Sequence, residues 1–161
     1  GLKDLGTSYQ GFLYAGLMIV NNDPYLIEYN VRMGDPECQT ILPRLKTDLF
    51  EIINSCVDED LKNSNIEWKG EKSVCIVLCY KGYPEKFEKN VEIKNLEKLK
   101  LRNNSYIFHA GTKKIQNKIC ATGGRVLNFV SLSEDFNSAR KEILENLNNL
   151  NLGNYEKFSR N

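Results

Sequence analysis

Three polar residues spaced two apart could hold a metal ion and an anion. Glu28 and Asn30 alternate with larger, less polar residues in the segment 25–31, and side chains two apart share one face of a strand, about 7 Å from each other. A carboxylate and an amide oxygen can bind Mg²⁺ together with phosphate oxygens. Arg32 has the same parity and, if the strand continues that far, could stabilise charge on a phosphate or carboxylate. A solvated polar strand face remains the alternative.

The next four residues, Gly-Asp-Pro-Glu at 34–37, favour the start of a helix. The chain turns at Gly34, Asp35 is predicted as the N-cap, and Pro36 suits the first turn. Because the N–H groups of a helix N-terminus attract anions, this start could support phosphate chemistry. An ordinary capped helix explains the same residues, and both interpretations stay open at this point.

Hydrophobic patterning predicts the elements that position these residues. Residues 11–20 are predicted to form a mostly buried strand and residues 25–31 a second strand. The turn cluster at 21–24 is short, so the two strands should pair antiparallel. Alternate residues of the second strand are expected to face a core: Tyr25, Ile27 and Tyr29.

Two helices and then a boundary are predicted next. The helix that begins at Asp35 should end or kink at Pro43, and Thr47 with Asp48 should cap a second helix. Residues 58–72 are polar and charged, which is typical of a connection between two structural units.

The second half of the chain is predicted to be rich in strands. Ser133 with Glu134 and Asp135 should cap a closing helix. The predicted strands cover residues 73–80, 106–110, 118–121 and 125–132. The apolar face of the closing helix is predicted to comprise Phe136, Ala139, Ile143, Leu147 and Leu150.

Composition narrows the classes of function. The 161 residues fit one medium domain or two small ones. Lys+Arg 22 against Asp+Glu 21 gives a net charge of +1, which argues against a nucleic-acid or membrane-surface binder. The longest apolar run is about half of a bilayer span. Five cysteines without a Cys-x-x-Cys pair favour reduced thiols in a cytosolic protein, and the single histidine, His109, disfavours a zinc site.

Residues 28–39, Glu-Tyr-Asn-Val-Arg-Met-Gly-Asp-Pro-Glu-Cys-Gln, closely resemble a signature of the phosphoribosylamine–glycine ligases, a family of ATP-grasp enzymes. Tyr29 and Met33 replace two phenylalanines of that signature. Further segments resemble landmarks of the same family in the same order: GFLYAGLM at 11–18, ILPRLKTDL at 41–49, KGYP at 81–84, FHAGT at 108–112 and GGRVL at 123–127.

The resemblance implies an α+β fold with two parts. Residues 1–65 would be the C-terminal part of an ATP-grasp catalytic domain, built of antiparallel strands plus helices. Residues 66–161 would form the family's small, mixed, β-rich C-terminal domain. The family's substrate-binding domain and nucleotide-clamping half would precede Gly1, so the missing N-terminal part of the enzyme is an expected partner. The first residue is not a methionine, which agrees with a piece of a longer protein.

The resemblance also implies a reaction. The family joins glycine to 5-phosphoribosylamine in purine biosynthesis, splits ATP to ADP and phosphate, and forms an acyl phosphate on the way. By resemblance, Glu28 and Asn30 would hold Mg²⁺ or Mn²⁺, and Arg32 would be the catalytic residue that stabilises the acyl phosphate. A cytoplasmic location is implied, with no nucleic-acid or membrane partner.

Substrate-binding residues follow from the same resemblance. Asp35 would receive the glycine ammonium, with Gly34 and Glu37 beside it, although a capping role for Asp35 is equally open. The downstream motifs would bring backbone N–H groups and a cation to the ribose phosphate, unless they are only tight turns between strands. Their candidate residues are His109, Gly111, Thr112, Gly124 and Arg125.

Two other classes remain open. Another ATP-grasp carboxylate–amine ligase would keep Glu28, Asn30 and Arg32 but lack the Gly-Asp-Pro-Glu and His-Ala-Gly-Thr motifs. A non-catalytic regulatory or interaction domain would be favoured if the native protein began at Gly1, because a complete nucleotide pocket does not fit in these residues.

Overall fold

The computed structural model describes residues 2–150 and 158–160 of the chain. The chain divides into two compact units, residues 1–38 with 45–69 and residues 39–44 with 70–161. Antiparallel sheets and helices make up both, so the predicted α+β class is confirmed. In the part of the chain that the structure describes, no helix has the length and apolar character to cross a membrane.

A two-stranded antiparallel hairpin opens the first unit. It consists of β1 (Tyr14–Val20) and β2 (Asp23–Asn30), and the predicted antiparallel pairing is confirmed. Asn21 and Asn22 both have positive φ, 52° and 69°. Left-handed residues in succession are what a two-residue hairpin turn requires, and asparagine tolerates that conformation.

The hairpin is exposed on both faces, so the prediction of a mostly buried first strand is wrong. The expected core residues Tyr25, Ile27 and Tyr29 are 57%, 65% and 62% exposed, and Gly16 is the one buried residue of β1. An apolar pattern identifies strands suited to burial, but actual burial needs a second packed layer. The described residues of the first unit do not supply that layer.

Two helices follow the hairpin in the chain, α1 (Glu37–Ile41) and α2 (Leu49–Val57). A 3₁₀ turn that contains Pro43 follows α1, which confirms the predicted end of that helix. Asp48 caps α2 by accepting the N–H of Phe50 at 2.7 Å. Thr47 was predicted to share this cap, but its hydroxyl accepts the N–H of Glu67 at 2.8 Å and donates to the carbonyl of Asn65 at 3.2 Å.

The second unit holds the remaining strands and one long helix, α3 (Phe136–Asn149). Its described strands are β3 (Lys72–Tyr80), β4 (Val91–Glu92), β5 (Ser105–His109), β6 (Thr112–Ile115), β7 (Lys118–Ala121), β8 (Arg125–Ser133) and β9 (Phe158–Arg160). They form an antiparallel sheet of order β5-β8-β3-β9 and a smaller antiparallel sheet of order β4-β7-β6.

All four strands predicted in this half are present, whereas β4, β6 and β9 were not predicted. β6 reads Thr-Lys-Lys-Ile, without an apolar run. It forms because Gln116 and Asn117, both with positive φ, turn the chain back so that β6 can pair with β7. A short polar strand of this kind depends on its partner and not on its own composition.

The core of the second unit lies between α3 and the strands β3 and β8. Asp135 caps α3, accepting the N–H of Ser138 at 2.9 Å and its hydroxyl at 2.7 Å. Four residues of the predicted apolar face are buried: Ala139, Ile143, Leu147 and Leu150. Phe136 is 61% exposed, contrary to prediction, because helical side chains point toward the N-terminus and the first one therefore extends past the helix end.

Two loops of the second unit cross at a pair of glycines, here called the glycine crossing. Gly111, after β5, donates its N–H to the carbonyl of Arg125 at 2.8 Å and accepts the N–H of Gly123 at 3.1 Å. A Cβ on Gly111 would lie 2.5 Å from that carbonyl oxygen and 2.6 Å from the Cα of Gly123. Both obstacles are backbone atoms, so only glycine fits at position 111.

The cap of α3 makes a pH-dependent contribution to stability. Hydrogen bonds from Ser138, its hydroxyl first and its N–H second, hold the pKa of the Asp135 carboxyl below its ordinary value. A lowered folded-state pKa stabilises the fold above the unfolded value of about 3.9, and this contribution disappears as the pH falls through the folded value. Asp135→Ala should therefore lower the urea midpoint at neutral pH, and the gap to wild type should close below about pH 4.

Glu134→Ala is the matched control for this prediction, because Glu134 is the neighbouring exposed acid and α3 takes its N-cap from Asp135. It should leave the midpoint near the wild-type value across the same pH range. A gap for Asp135→Ala that is equally large at pH 3 and pH 7 would contradict capping by the ionised carboxylate.

Gly111→Ala should destabilise the second unit. The added methyl group forces the crossing backbones apart, and overpacking of this kind costs about 1–3 kcal/mol or more. Gly70→Ala is the matched control, since a Cβ on Gly70 meets no atom within 4 Å, and its effect should stay within about 0.5 kcal/mol. Urea unfolding of both variants measures the difference, and equal effects would refute the tight crossing.

Candidate functional site

The structure brings Glu28 and Asn30 together on one face of β2. The Asn30 Nδ2 donates to Glu28 Oε1 at 2.8 Å, which confirms the shared face that the spacing predicts. Since the amide nitrogen is engaged, the atoms that can bind a cation are the amide oxygen and the second carboxylate oxygen. The metal-binding role of the pair stays a prediction.

A β-bulge lies directly beside Glu28. Gly16 pairs with Glu28, but the next residue of β1, Leu17, pairs with Leu26, so β2 contains one extra residue, Ile27. A Cβ on Gly16 would lie only 3.1 Å from the Cγ of Glu28. The glycine therefore makes room for the carboxylate side chain, and bulges often re-aim a side chain in this way. Sequence reasoning missed both features, although a glycine inside an apolar strand is a signal for them.

Arg32 lies beyond the strand. β2 ends at Asn30, so the strand does not continue far enough to align Arg32 with the pair by parity. Its Nη1 donates to the carbonyl of the next residue, Met33, at 3.1 Å. The backbone just before Arg32 also has a contact, because the hydroxyl of Tyr9 lies 3.2 Å from the carbonyl of Val31. A guanidinium has five N–H donors, so an exposed arginine with this one bond can still bind an anion.

A hydrogen-bonded turn at Gly34 leads into α1, which begins at Glu37. Cys38 donates its N–H to the carbonyl of Gly34 at 2.9 Å, and the Glu37 carboxylate accepts the N–H of Gly34 at 2.7 Å. The bond between Gly34 and Glu37 closes this turn, and the N-cap role expected of Asp35 stays a prediction. Glu37 therefore has a local structural contact, while Asp35 is exposed.

One cysteine, Cys38, lies beside this turn. Burial first, and then the negative charges of Glu37 and Asp35, raise the pKa of the Cys38 thiol above its ordinary value, so the thiol stays protonated at neutral pH. All five cysteines are free thiols.

The donor set at Glu28 and Asn30 suits a hard cation. Among the described residues, no group of three or more His, Cys, Asp or Glu side chains could hold a metal ion. One carboxylate and one amide oxygen are nevertheless sufficient for Mg²⁺, which keeps several waters and completes its ligands with substrate phosphates. Mn²⁺ accepts the same oxygen donors.

The predicted site residues of the second unit also lie close together. His109 Nδ1 is 2.7 Å from Thr112 Oγ1, and the glycine crossing joins this loop to residues 123–125. His109 is exposed, and Arg125 is half-buried. The positive charge of Arg125 opposes the effect of burial, which raises the pKa of the Cys79 thiol. The imidazole therefore belongs to the last residue of β5 and the guanidinium to the first residue of β8, and these two strands pair.

A third loop completes this group. Residues 81–84, Lys-Gly-Tyr-Pro, follow β3 and place the Tyr83 ring where a Cβ on Gly124 would otherwise stand. We call residues 81–84, 109–112 and 123–125 the loop cluster. Sequence reasoning assigned no role to Tyr83, and the structure gives both Gly111 and Gly124 a packing reason to be glycine.

Comparisons with known proteins match both parts of the chain to the same family. Residues 73–161 match the family described as phosphoribosylglycinamide synthetase, C domain, and residues 1–38 match its ATP-grasp (A) domain. A phosphoribosylamine–glycine ligase of Caldanaerobacter subterraneus is 44% identical over 140 residues, which cover 87% of this chain and 33% of that protein. A protein of the same name from Fusobacterium nucleatum is 41% identical over 91% of this chain and 35% of its own length.

A fused relative and a solved structure extend the same finding. The human trifunctional purine biosynthetic protein adenosine-3 is 40% identical over 91% of this chain and 15% of its own length. The crystal structure of phosphoribosylamine–glycine ligase from Thermotoga maritima matches with a TM-score of 0.68 and 33% identity, covering 99% of this chain and 37% of that one. The chain thus spans about a third of the single-function relatives. It belongs to the phosphoribosylglycinamide synthetase family and carries that family's C domain behind a part of its ATP-grasp domain.

Proposed function

We propose that this chain is part of an ATP-dependent ligase that joins glycine to 5-phosphoribosylamine, giving glycinamide ribonucleotide, ADP and phosphate. The observation that carries the proposal is the hydrogen-bonded Glu28–Asn30 pair inside the segment that matches the ATP-grasp domain. The names of the relatives support the reaction, which belongs to purine biosynthesis. We place the enzyme in the cytoplasm.

The reaction has two steps in this proposal. The glycine carboxylate attacks the γ-phosphorus of ATP, releases ADP and becomes an acyl phosphate. The amine of 5-phosphoribosylamine then attacks the acyl carbon, loses a proton and expels phosphate. The neutral amine is already a fair nucleophile, so no strongly perturbed general base is required.

Glu28 and Asn30 serve the first step by holding Mg²⁺ or Mn²⁺. The cation, when bound, supplies positive charge and a template for phosphate oxygens. The bond between the two side chains keeps their remaining oxygens in place before any ligand arrives, and such preorganisation lowers the cost of binding. Gly16 and the bulge maintain the space in which the carboxylate stands.

Arg32 is the proposed catalytic residue. Two anions, a carboxylate and a triphosphate, must meet, and a planar guanidinium can bind two oxygens of the transferring phosphoryl group at once. Asp35 is proposed to receive the glycine ammonium, since it is exposed beside Gly34. Gly34 and Glu37 shape this turn through their mutual hydrogen bond.

The loop cluster is proposed to bind the ribose phosphate of 5-phosphoribosylamine. Arg125 supplies a fixed positive charge, and His109 supplies a ring whose orientation Thr112 sets through the bond at 2.7 Å. Gly111 and Gly124 allow the backbones to approach closely enough for these side chains to share one end of the sheet.

The rest of the enzyme is a proposed partner. The described faces of β1 and β2 expose many large apolar side chains, among them Leu17, Ile19 and Ile27. Exposed apolar surface on this scale is expected to be covered by other protein, and the preceding part of the ATP-grasp domain is the proposed cover.

We place the domain boundary between residues 65 and 66. We expect the 161 residues alone to be inactive.

In the full-length enzyme, Glu28→Gln and Asn30→Leu should each lower turnover at least about tenfold without unfolding the protein. The first removes the negative charge and one oxygen of the carboxylate, and the second removes the amide oxygen. The measurement is ADP release that depends on glycine and 5-phosphoribosylamine, at saturating and at limiting Mg²⁺. Glu59→Gln is the matched control, since Glu59 also accepts from an amide, that of Gln10, at 3.4 Å in the same unit. Normal activity of either variant at limiting Mg²⁺ would remove that residue from the metal site.

Arg32→Lys should lower kcat with little change in the KM for ATP. Lysine keeps the charge but not the planar fork, and the loss of a preorganised transition-state donor costs about 2–4 kcal/mol. Arg140→Lys, an exposed substitution on α3, is the control and should leave the rate unchanged. An Arg32→Lys enzyme within about threefold of the wild-type kcat would exclude the catalytic role.

A further inference from the structure

The Lys-Gly-Tyr-Pro turn at residues 81–84 belongs to the loop cluster, but none of its side chains has a role in the binding proposed so far, although its backbone is tightly constrained. Gly82 has φ of 93°, and a Cβ there would lie 2.6 Å from the carbonyl oxygen of Lys86. The carbonyl of Gly82 accepts the N–H of Glu85 at 2.8 Å, and Tyr83 donates its N–H to the carbonyl of Tyr80 at 3.1 Å. The position of the Tyr83 backbone is therefore fixed by the turn.

The Tyr83 ring is supported from behind by an aromatic row. Its centroid lies 6.3 Å from that of Phe87, and Phe87 in turn stacks on Tyr80 at 5.5 Å and 17°. Tyr80 is anchored in the core, because its hydroxyl donates to the carbonyl of Ala121 and accepts the N–H of Val91, both at 3.1 Å. The ring of Tyr83 is consequently held at a defined place while 36% of the residue remains exposed.

The Tyr83 ring lies directly beside the Cα of Gly124. A Cβ added to Gly124 would collide with Cδ2 and Cε2 of the Tyr83 ring, and the carbonyl of Gly124 accepts the N–H of Tyr80 at 2.8 Å. Two successive glycines have wide conformational freedom on their own. The ring on one side and the glycine crossing on the other restrict residues 123 and 124, which lead directly into Arg125.

We propose that Tyr83 is a positioning residue for the phosphate-bearing amino sugar. Its ring holds Gly124 against β3 and thereby fixes where β8 begins and where Arg125 stands relative to His109. This inference rests on the proposed function of the loop cluster and adds to it a residue for which the sequence indicates no role. The flat ring carries the effect, because it is the ring carbons that contact Gly124.

Steady-state kinetics of the full-length enzyme test the proposal, with 5-phosphoribosylamine formed in solution from ribose 5-phosphate and ammonia. Tyr83→Ala should raise the KM for 5-phosphoribosylamine about tenfold or more, because misplacing a binding group by about 1 Å is costly. The KM values for ATP and glycine should stay within about twofold. Tyr83→Phe keeps the ring and should restore wild-type values.

A loss of stability alone should not reproduce this pattern. Ile143→Ala is the control, since Ile143 is 1% exposed under the sheet and its truncation destabilises the same unit. Its three KM values should stay at the wild-type level under conditions in which it is folded. If Tyr83→Ala does not yield folded enzyme, Tyr83→Leu, which keeps apolar volume but not a flat ring, provides the same comparison.

A double-variant cycle tests the contact itself. Gly124→Ala should raise the same KM as Tyr83→Ala, because the new methyl group displaces the ring. In the Tyr83→Ala background the Gly124→Ala change should add less than about threefold, since the ring is already gone, and the two effects are then non-additive.

The outcomes separate the two proposals. A wild-type enzyme without ADP release dependent on glycine and 5-phosphoribosylamine overturns the proposed function and this inference with it. An active wild-type enzyme overturns the positioning role alone if Tyr83→Ala leaves the KM for 5-phosphoribosylamine unchanged. The same holds if all three KM values rise together, or if the effects of Tyr83→Ala and Gly124→Ala are additive.

Discussion

The antiparallel pairing of β3 with β8 is the interaction on which the second unit depends. β8 is buried along most of its length and pairs with β3 on one side and β5 on the other. Because neighbouring strands are antiparallel, the end of β3, the end of β5 and the start of β8 all lie at the same end of the sheet. The turn with Tyr83, the loop with His109 and the loop with Gly124 therefore emerge together, and the loop cluster is a direct consequence of the strand order.

The first unit depends on local hydrogen bonds and not on a buried sheet. Its hairpin has a strong register and a left-handed Asn-Asn turn, yet both faces remain exposed. What the hairpin does establish is local geometry: the bulge at Ile27, the space at Gly16 and the bond between Asn30 and Glu28. Local hydrogen bonds can hold two oxygen donors in position, whereas the burial of the apolar faces needs a further layer.

The sequence predicted best those features that depend on a residue and its near neighbours. β3, β8 and α3 carry long apolar patterns, and the Glu28–Asn30 face follows from alternation alone. The exposure of Tyr25 and Tyr29 and the contact of Tyr83 with Gly124 depend on other parts of the chain, and the polar strand β6 depends on its pairing with β7. The bond from the Gly34 N–H to the Glu37 side chain is a contact between near neighbours that residue preferences alone do not predict.

The glycines of the loop cluster show why a motif is not by itself evidence of ligand binding. Gly111 is required by the backbone of Gly123, and Gly124 is required by the ring of Tyr83. Their presence in family-like motifs is thus explained by packing, and neither needs a substrate to account for it. His109 and Arg125 are different, because an exposed imidazole bonded to Thr112 and a half-buried guanidinium are not needed to close the crossing. The case for substrate binding in the second unit therefore depends on these two side chains and on the backbone contacts that hold the end of β5 beside the start of β8.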